Sequence, residues 1–243
     1  MKKTVYATIS FKQFAILSLV AVTAFLSVFA LDLFYLNTSV SAESNDLPLI
    51  IIDAGHGGED GGTVSSSGIV EKNINLEISL KTQALFEACG FQTLMTRSGD
   101  YLIYDSSSST IRQKKVSDIH NRMNIITNNP NSIFLSIHQN HYEQSKYYGA
   151  QVFYSKGNSE SELIAQSIQS QIVSSLQPEN ERQIKPSGTE IYLLHNAVTP
   201  AVMVECGFLS NAGEAEKLND SNYQTQMAMA VFQGTLNYLN NRK

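Results

Sequence analysis

Residues 47–58 read Leu-Pro-Leu-Ile-Ile-Ile-Asp-Ala-Gly-His-Gly-Gly. The continuous apolar run at residues 47–52 is rich in isoleucine, which is typical of a strand buried on both faces of a sheet. Residues 53–68 are rich in glycine and predict a loop. We therefore expect a buried strand whose carboxyl end leads into a polar loop, at the edge where open α/β sheets bind ligands.

Strand-like and helix-like segments alternate along the rest of the chain. Further strands are predicted at residues 91–96, 133–138, 149–154, 190–194 and 201–205, and helices at residues 71–89, 118–127, 159–176 and 223–239. The polar segment 98–117 is predicted to be a long loop over one face of the domain. This order predicts a single α/β domain at residues 43–243, with a mostly parallel, twisted sheet of about six strands and helices on both faces.

The first 42 residues have the pattern of a secretory signal. Lysines precede an uncharged, mostly apolar run at residues 14–30, and small residues occupy positions 40–42. We expect cleavage after Ala42. The alternative is an uncleaved N-terminal membrane anchor whose outer end is marked by Asp32. Both interpretations place residues 43–243 outside the cytoplasm.

The charge of the exported part argues against two classes of partner. Residues 43–243 contain 14 Lys and Arg against 21 Asp and Glu, a net charge of −7. A domain with this charge and no basic cluster is not expected to bind nucleic acid or an anionic membrane surface. Contact with a membrane is expected only through the N-terminal segment, if it stays uncleaved.

The chain contains two cysteines, Cys89 and Cys206. Export would permit a disulfide between them. We favour two buried free thiols, because Cys89 lies near the end of a predicted helix and Cys206 lies within an apolar strand. Their spacing does not match a cysteine-type zinc site.

Four polar residues fall where such a fold would bring them together. His56 follows the first strand, His138 ends the third, Glu205 ends the last, and Glu71 opens the helix after the glycine loop. Two imidazoles and one carboxylate are the ligands of a catalytic zinc site with one position left open. Hydrolysis at such a site needs a further carboxylate for proton transfer, and Glu205 has that position.

Each of these residues also has a simpler interpretation when taken alone. Glu71 is a favourable charge at a helix N-terminus. Glu205 could be half of a buried ion pair, and most single histidines are structural or exposed. The glycines at 55–62 could suggest a phosphate loop, but no Gly-Lys-Ser/Thr follows them. Only the combination favours a metal site.

Four motifs, in order, carry a resemblance to a known family. They are Asp-Ala-Gly-His-Gly-Gly at 53–58, Glu-Lys at 71–72 with Asn-Leu at 75–76, Ser-Ile-His-Gln-Asn at 136–140, and Val-Glu-Cys-Gly-Phe-Leu-Ser-Asn at 204–211. The chain resembles the zinc-dependent N-acetylmuramoyl-L-alanine amidases of the amidase-3 type over about residues 48–240.

The resemblance implies a reaction and a role for each site residue. It implies Zn²⁺ bound by His56, Glu71 and His138, with Glu205 as the catalytic carboxylate. The bond cut would be the amide between the lactyl group of muramic acid and L-Ala of the peptidoglycan stem peptide. Asp53 or Asn140 is expected to orient the metal ligands, and the sequence does not choose between them.

A finer resemblance connects residues 111–122 and 149–155 with the germination-specific amidases of spore-forming bacteria. It implies action on spore-cortex peptidoglycan, where removal of stem peptides lets muramic-δ-lactam form, and a location between the forespore membranes or in the cell wall. We also expect no fused wall-binding module and help from an exported accessory protein. The chain departs from the family at Ile126-Thr127, and His141 has no assigned role.

Two rival functions remain on the sequence alone. One is another zinc peptidoglycan peptidase, such as a carboxypeptidase that cuts within the stem peptide. The other is a non-catalytic wall-binding regulator, which is disfavoured because all four polar residues are intact.

Overall fold

The computed structural model describes residues 47–242, and the predicted signal peptide or membrane anchor lies outside them. Six strands and six helices make up this part of the chain. The strands are β1 (Leu49–Ala54), β2 (Thr93–Met95), β3 (Ser132–Asn140), β4 (Gln151–Tyr154), β5 (Lys185–Pro186) and β6 (Ala201–Phe208). The helices are α1 (Glu71–Ala88), α2 (Ile111–Thr127), α3 (Glu160–Ser175), α4 (Tyr192–Asn196), α5 (Ala212–Asn219) and α6 (Ser221–Asn241). Within residues 47–242, no helix is long and apolar enough to span a bilayer.

The strands form one sheet in the order β2-β1-β3-β6-β4-β5. Strands β2, β1, β3 and β6 pair in parallel, whereas β4 runs antiparallel to β6. The predicted fold, a single α/β domain with a mostly parallel six-stranded sheet, is therefore confirmed.

Helices cover both faces of the sheet because the central strands are apolar on both sides. Alternate residues of β3 show this: Ile133 and Leu135 pack into one cluster with side chains of α1, α3, α5 and α6, while Phe134 packs into a second cluster with α2 and α4. Since the odd and even positions of a strand point to opposite faces, each face has its own apolar core.

Helix α2 begins seven residues earlier than the sequence predicts. It starts at Ile111, because the Thr110 side chain accepts a hydrogen bond from the Gln113 backbone N–H and the Gln113 side chain reaches back to the Thr110 N–H. This capping box satisfies backbone groups that a polar serine-rich loop would leave to water. The predicted loop at 98–117 is therefore wrong over its last seven residues.

The predicted strand at 190–194 is also wrong. Residues 192–196 form the short helix α4, whose Leu193 and Leu194 are buried against the sheet, and the edge strand is instead β5. A short apolar run fits a buried helical turn as well as a strand, and periodicity alone does not separate them. Helix α5 was not predicted; it is capped by the Asn211 side chain, which accepts from the Glu214 N–H.

Both cysteines are free, as expected. Cys206 is buried, but Cys89 is exposed, so the expectation of two buried thiols is half wrong. Cys89 is the residue that follows the last turn of α1, where the helix reaches solvent.

Candidate functional site

The site lies at the carboxyl edge of the three central parallel strands. Ala54 of β1 pairs with Ile137 of β3, and His138 of β3 pairs with Glu205 of β6. The strand ends that the sequence singled out are therefore direct neighbours, as predicted.

His56, Glu71 and His138 converge above this edge. The Glu71 Oε1 atom lies 3.3 Å from His56 Nε2 and 3.1 Å from His138 Nδ1. One ligand atom from each residue lies within 4.8 Å of the others, which is close enough for all three to hold one metal ion. The two imidazole rings meet edge to face, with centroids 4.9 Å apart.

The Glu71 carboxylate is fixed by hydrogen bonds from three parts of the chain. Its Oε2 accepts from the Thr63 N–H at 2.8 Å, and its Oε1 accepts from the Gln139 N–H at 3.0 Å and from Asn75 Nδ2 at 3.2 Å. Burial opposes ionisation, but the bonds and charges of the two histidines hold the pKa of Glu71 far below its usual range. The carboxylate is therefore ionised and preorganised to face a cation.

His56 is held in an uncommon backbone conformation, with φ at +63°. Its Nδ1 contacts Asp60 Oδ2 at 2.9 Å, and its backbone oxygen accepts from Arg122 at 2.8 Å. Burial lowers the pKa of His56, but the hydrogen bonds and charges of Asp60 and Glu71 outweigh it and raise the pKa to about 9. With Nδ1 occupied by Asp60, Nε2 is the nitrogen presented to the cluster, as in metal-ligating histidines oriented by a carboxylate.

Glu205 differs from Glu71, because both Glu71 oxygens accept hydrogen bonds whereas Glu205 has a buried oxygen that accepts none from residues 47–242. Its Oε2 is buried and has no partner within residues 47–242. Burial raises the pKa of Glu205 to about 7, against the opposing charge of His138. A carboxyl group with this pKa can accept and return a proton near neutral pH.

A buried network of charges lies beneath the cluster. Asp53 accepts from Arg122 at 2.6 Å, from Ser136 Oγ at 2.6 Å and from Thr96 Oγ1 at 2.8 Å. Arg122 also pairs with Asp118 at 2.8 Å and donates to the backbone oxygens of residues 54 and 56. Of the two residues proposed to orient the ligands, Asp53 therefore acts indirectly, through Arg122 and the backbone of the His56 loop.

Two glycines make room for the cluster. A Cβ on Gly55 would collide with the His138 imidazole ring. Gly62 has φ +68°, and a Cβ there would lie 2.5 Å from Glu71 Oε2 and 2.7 Å from His56 Cδ2. The glycine loop therefore serves close packing of ligand side chains and not phosphate binding.

A cavity of about 660 Å³ opens beside the cluster. Its lining includes His56 and His138 at one end, and Ile119, Ile191 and Met203 along an apolar wall contributed by α2, β6 and the segment before α4. The predicted loop rim is thus partly a helix, because the first turns of α2 form one side of this cavity.

Three residues that support the site have no role assigned to them from the sequence. Asp60 orients His56, Asn75 bridges Glu71 to the Gly55 oxygen, and Arg97 donates to the oxygens of residues 54 and 55. Asn75 had a signal, because it lies four residues after Glu71 on the same helix face. The other three histidines, His120, His141 and His195, are exposed, and none belongs to the cluster formed by His56, Glu71 and His138.

The chain is similar to known amidases over almost all of its described length. A family model described as N-acetylmuramoyl-L-alanine amidase matches residues 50–237. A germination-specific N-acetylmuramoyl-L-alanine amidase of Bacillus subtilis is 32% identical over 190 residues, covering 78% of this chain and 79% of that protein.

Solved structures show the same fold. The CwlD amidase from Clostridioides difficile, solved in complex with the GerS lipoprotein, is 41% identical with a TM-score of 0.77, covering 80% of this chain and 99% of that one. The amidase AmiC2 of Nostoc punctiforme is 26% identical with a TM-score of 0.69, covering 79% of this chain and 97% of that one.

Proposed function

The chain belongs to the N-acetylmuramoyl-L-alanine amidase family and is an amidase, and we propose that it is a zinc-dependent enzyme acting outside the cytoplasm on spore-cortex peptidoglycan. The observation that carries the proposal is the convergence of His56, Glu71 and His138 within 4.8 Å of one another, beside Glu205 at the same sheet edge.

The donor set fits zinc. Two imidazole nitrogens and one carboxylate oxygen, with a fourth side left open, are the ligands of catalytic zinc sites, whereas Mg²⁺ and Ca²⁺ prefer oxygen ligands alone. The ligands are held in advance, since Glu71 is bonded to three donors and His56 to Asp60. Zinc bound by His56, Glu71 and His138 would polarise the scissile carbonyl and make water more acidic.

Glu205 is proposed to move the proton. With a pKa of about 7, its carboxylate can take a proton from water and pass it to the departing amine of L-Ala. Its buried Oε2 has no partner among residues 47–242, and this supports the role. A buried polar atom usually has a hydrogen-bond partner, which here the substrate or water would supply.

The substrate assignment draws on the relatives. The Bacillus subtilis protein is named a germination-specific N-acetylmuramoyl-L-alanine amidase, and the Clostridioides difficile amidase was solved with a lipoprotein. We propose that this chain likewise removes stem peptides from cortex muramic acid, so that muramic-δ-lactam can form, and that an exported accessory protein assists it. A location between the forespore membranes or in the cell wall follows from that substrate.

The substitution Glu205→Gln tests the catalytic proposal. It removes proton transfer while keeping the size of the side chain, so the turnover of purified peptidoglycan should fall by about 100-fold or more. Zinc content, measured by atomic absorption, and the melting temperature should stay near those of the wild type. Glu216→Gln, at an exposed position of α5, is the matched control and should keep full activity.

Full turnover by Glu205→Gln would remove Glu205 from the mechanism. A wild-type protein that binds peptidoglycan but releases nothing from it would instead favour a non-catalytic regulator. The cortex assignment has a separate test: mass spectrometry of cortex from spores that lack this protein should show peptide-substituted muramic acid in place of muramic-δ-lactam, and normal lactam content would contradict it.

A further inference from the structure

Arg182 lies in the segment between α3 and β5 and extends toward the site. One guanidinium nitrogen donates to Gln151 Oε1 at 2.6 Å, and the guanidinium carbon lies 4.9 Å from the centroid of the Phe208 ring. Gln151 is anchored in turn, because its amide donates to the Gln183 backbone oxygen at 2.8 Å. The direction of the guanidinium is thus fixed from two sides.

This guanidinium has more donors than acceptors around it. An arginine has five N–H donors, and a half-buried arginine usually pairs with a carboxylate. Within residues 47–242, Arg182 forms no salt bridge, and its buried Nε has no partner. Glu214, an acidic residue close enough to act on its charge, is already bonded to the Phe208 and Gly149 N–H groups.

Arg182 lies at the end of a line of side chains that crosses the sheet from His138 through Glu205. Across the sheet, His138 pairs with Glu205, and Glu205 pairs with Gln151. The Gln151 side chain then contacts Arg182. Arg182 therefore lies beyond Glu205, on the opposite side from the metal-ligand cluster.

A small cavity adjoins this arginine. It has a volume of about 260 Å³ and is lined by residues 146–148 and 180–182. Lys146 adds a second positive charge and Glu181 a negative one. The centroid of the Tyr147 ring lies 5.5 Å from Lys146 Nζ and 6.3 Å from the centroid of the Phe208 ring. The cavity has room for a few heavy atoms of a ligand next to unpaired donors.

We propose that Arg182 binds the first free carboxylate of the stem peptide, on the residue that follows L-Ala. This inference rests on the proposed function. In such a substrate, the lactyl carboxyl is tied up in the scissile amide and the acetylated sugars are neutral. The second stem residue is a glutamate linked through its γ-carboxyl, which leaves its α-carboxylate free. The departing peptide therefore lies toward β4 and Arg182, and the muramic acid on the other side of Glu205.

Other cations near the site are less suited to this role. Lys115 pairs with Asp60 at 2.8 Å and Lys114 pairs with Glu59 at 2.5 Å. Arg112 lines the larger cavity and is exposed, so its charge is screened by water. Arg112 is the competing candidate, and the experiment separates the two.

The test uses two muramyl tripeptides that differ in one group, a free α-carboxylate or an α-carboxamide on the glutamate. The zinc-loaded wild type should hydrolyse the carboxylate form with a kcat/KM about 10-fold to 100-fold higher, because hydrogen bonds to a charged group are stronger than those to a neutral amide. In Arg182→Gln this ratio should fall to about 1, mainly through a higher KM for the carboxylate form.

Three further variants complete the experiment: Arg182→Lys, Lys185→Gln and Arg112→Gln. Arg182→Lys, which keeps the charge and loses the fork of donors, should retain part of the preference and serves if Arg182→Gln does not fold. Lys185→Gln removes a charge from exposed β5 and should keep the wild-type ratio.

The proposal is overturned if Arg182→Gln keeps the wild-type preference, if the wild type shows none, or if Arg112→Gln abolishes it instead. A wild type that hydrolyses neither tripeptide would contradict the proposed function itself, which is a different result from equal hydrolysis of both.

Discussion

Glu71 shows how much a residue's role depends on its neighbours. As the first residue of α1 it is a favourable charge at a helix N-terminus. Beside His56 and His138, and with each oxygen already accepting backbone or amide hydrogen bonds, the same carboxylate becomes the centre of a three-ligand cluster. A carboxylate this deeply buried is stable only when its charge is compensated, and the hydrogen bonds and the two imidazoles supply that compensation.

Asp60 is expected to set the affinity for zinc without touching the metal. It contacts His56 Nδ1 at 2.9 Å, so Asp60→Asn weakens the group that fixes the ring and makes Nε2 more basic. The zinc dissociation constant should rise about 10-fold to 100-fold, as measured by calorimetric competition with a chelator.

The exposed substitution Asp105→Asn is the matched control for Asp60→Asn, and its zinc affinity should equal that of the wild type. Unchanged affinity in Asp60→Asn would mean that the ring of His56 is held by other contacts.

Asp53 is expected to make stability depend on pH. Burial raises its pKa, but Arg122 and the bonds from Ser136 and Thr96 outweigh this and lower the pKa from 3.8 to about 2. The resulting contribution, about 2 kcal/mol to the free energy of unfolding, is present above pH 4 and lost as the pH falls toward 2.

The variant Asp53→Asn should be less stable than the wild type by about 3 kcal/mol near neutral pH, because it leaves Arg122 with one buried partner fewer. Urea unfolding between pH 6 and pH 2.5 should show this difference shrinking as the pH falls. A difference that stays constant over the range would contradict the ion pair.

At the scale of elements, the site depends on how closely the end of β1 approaches the end of β3. Gly55 follows β1 directly and lies against the His138 ring, with no space for a side chain. A methyl group there must displace either the strand end or the imidazole.

Gly55→Ala should therefore lose most of its zinc affinity and about 1–3 kcal/mol of stability. Calorimetry and thermal unfolding measure both. Gly213→Ala in α5 is the control, because its Cβ would meet nothing closer than Asn211 Oδ1 at 3.5 Å, and it should keep both properties. Wild-type zinc binding by Gly55→Ala would show that the two strand ends can move apart freely.

The sequence predicted long periodic elements better than short or capped ones. Helix α1 was placed within one residue of its observed bounds, because its apolar positions and Gly90 mark its length. The sequence does not predict the start of α2, because Thr110 and Gln113 follow a serine-rich run that resembles a loop. It predicts a strand where α4 forms, because a five-residue helix is too short to show helical periodicity.

At the scale of the whole molecule, the edge of the sheet organises the site. Parallel pairing of β1, β3 and β6 brings distant parts of the chain together. Glu71 and His138, for example, are in contact although they are 67 positions apart. The sequence predicted these strand ends, and the candidate residues His56, His138 and Glu205 were chosen from them. The sequence does not predict the hydrogen bonds that hold these residues in place. Arg122 bonds to His56 across 66 positions and Arg182 to Gln151 across 31, and separations this long leave no periodic pattern in the sequence.

The fold places chemically different surroundings on the two sides of the Glu205 carboxyl group. The metal-ligand cluster and the larger cavity lie on one side of Glu205, and Gln151 with Arg182 lies on the other. An amide placed over Glu205 would then have its two halves in chemically different surroundings, one largely apolar and one cationic.

We propose that this chain cuts the bond between muramic acid and L-Ala with zinc held by His56, Glu71 and His138. The most direct test is mass spectrometry of the products after the purified, zinc-loaded protein has acted on peptidoglycan. We expect intact glycan with free lactyl carboxylates, together with peptides that begin with the free amine of L-Ala, and no such products after chelation. Release of single C-terminal amino acids, or full activity in the absence of metal, would contradict it.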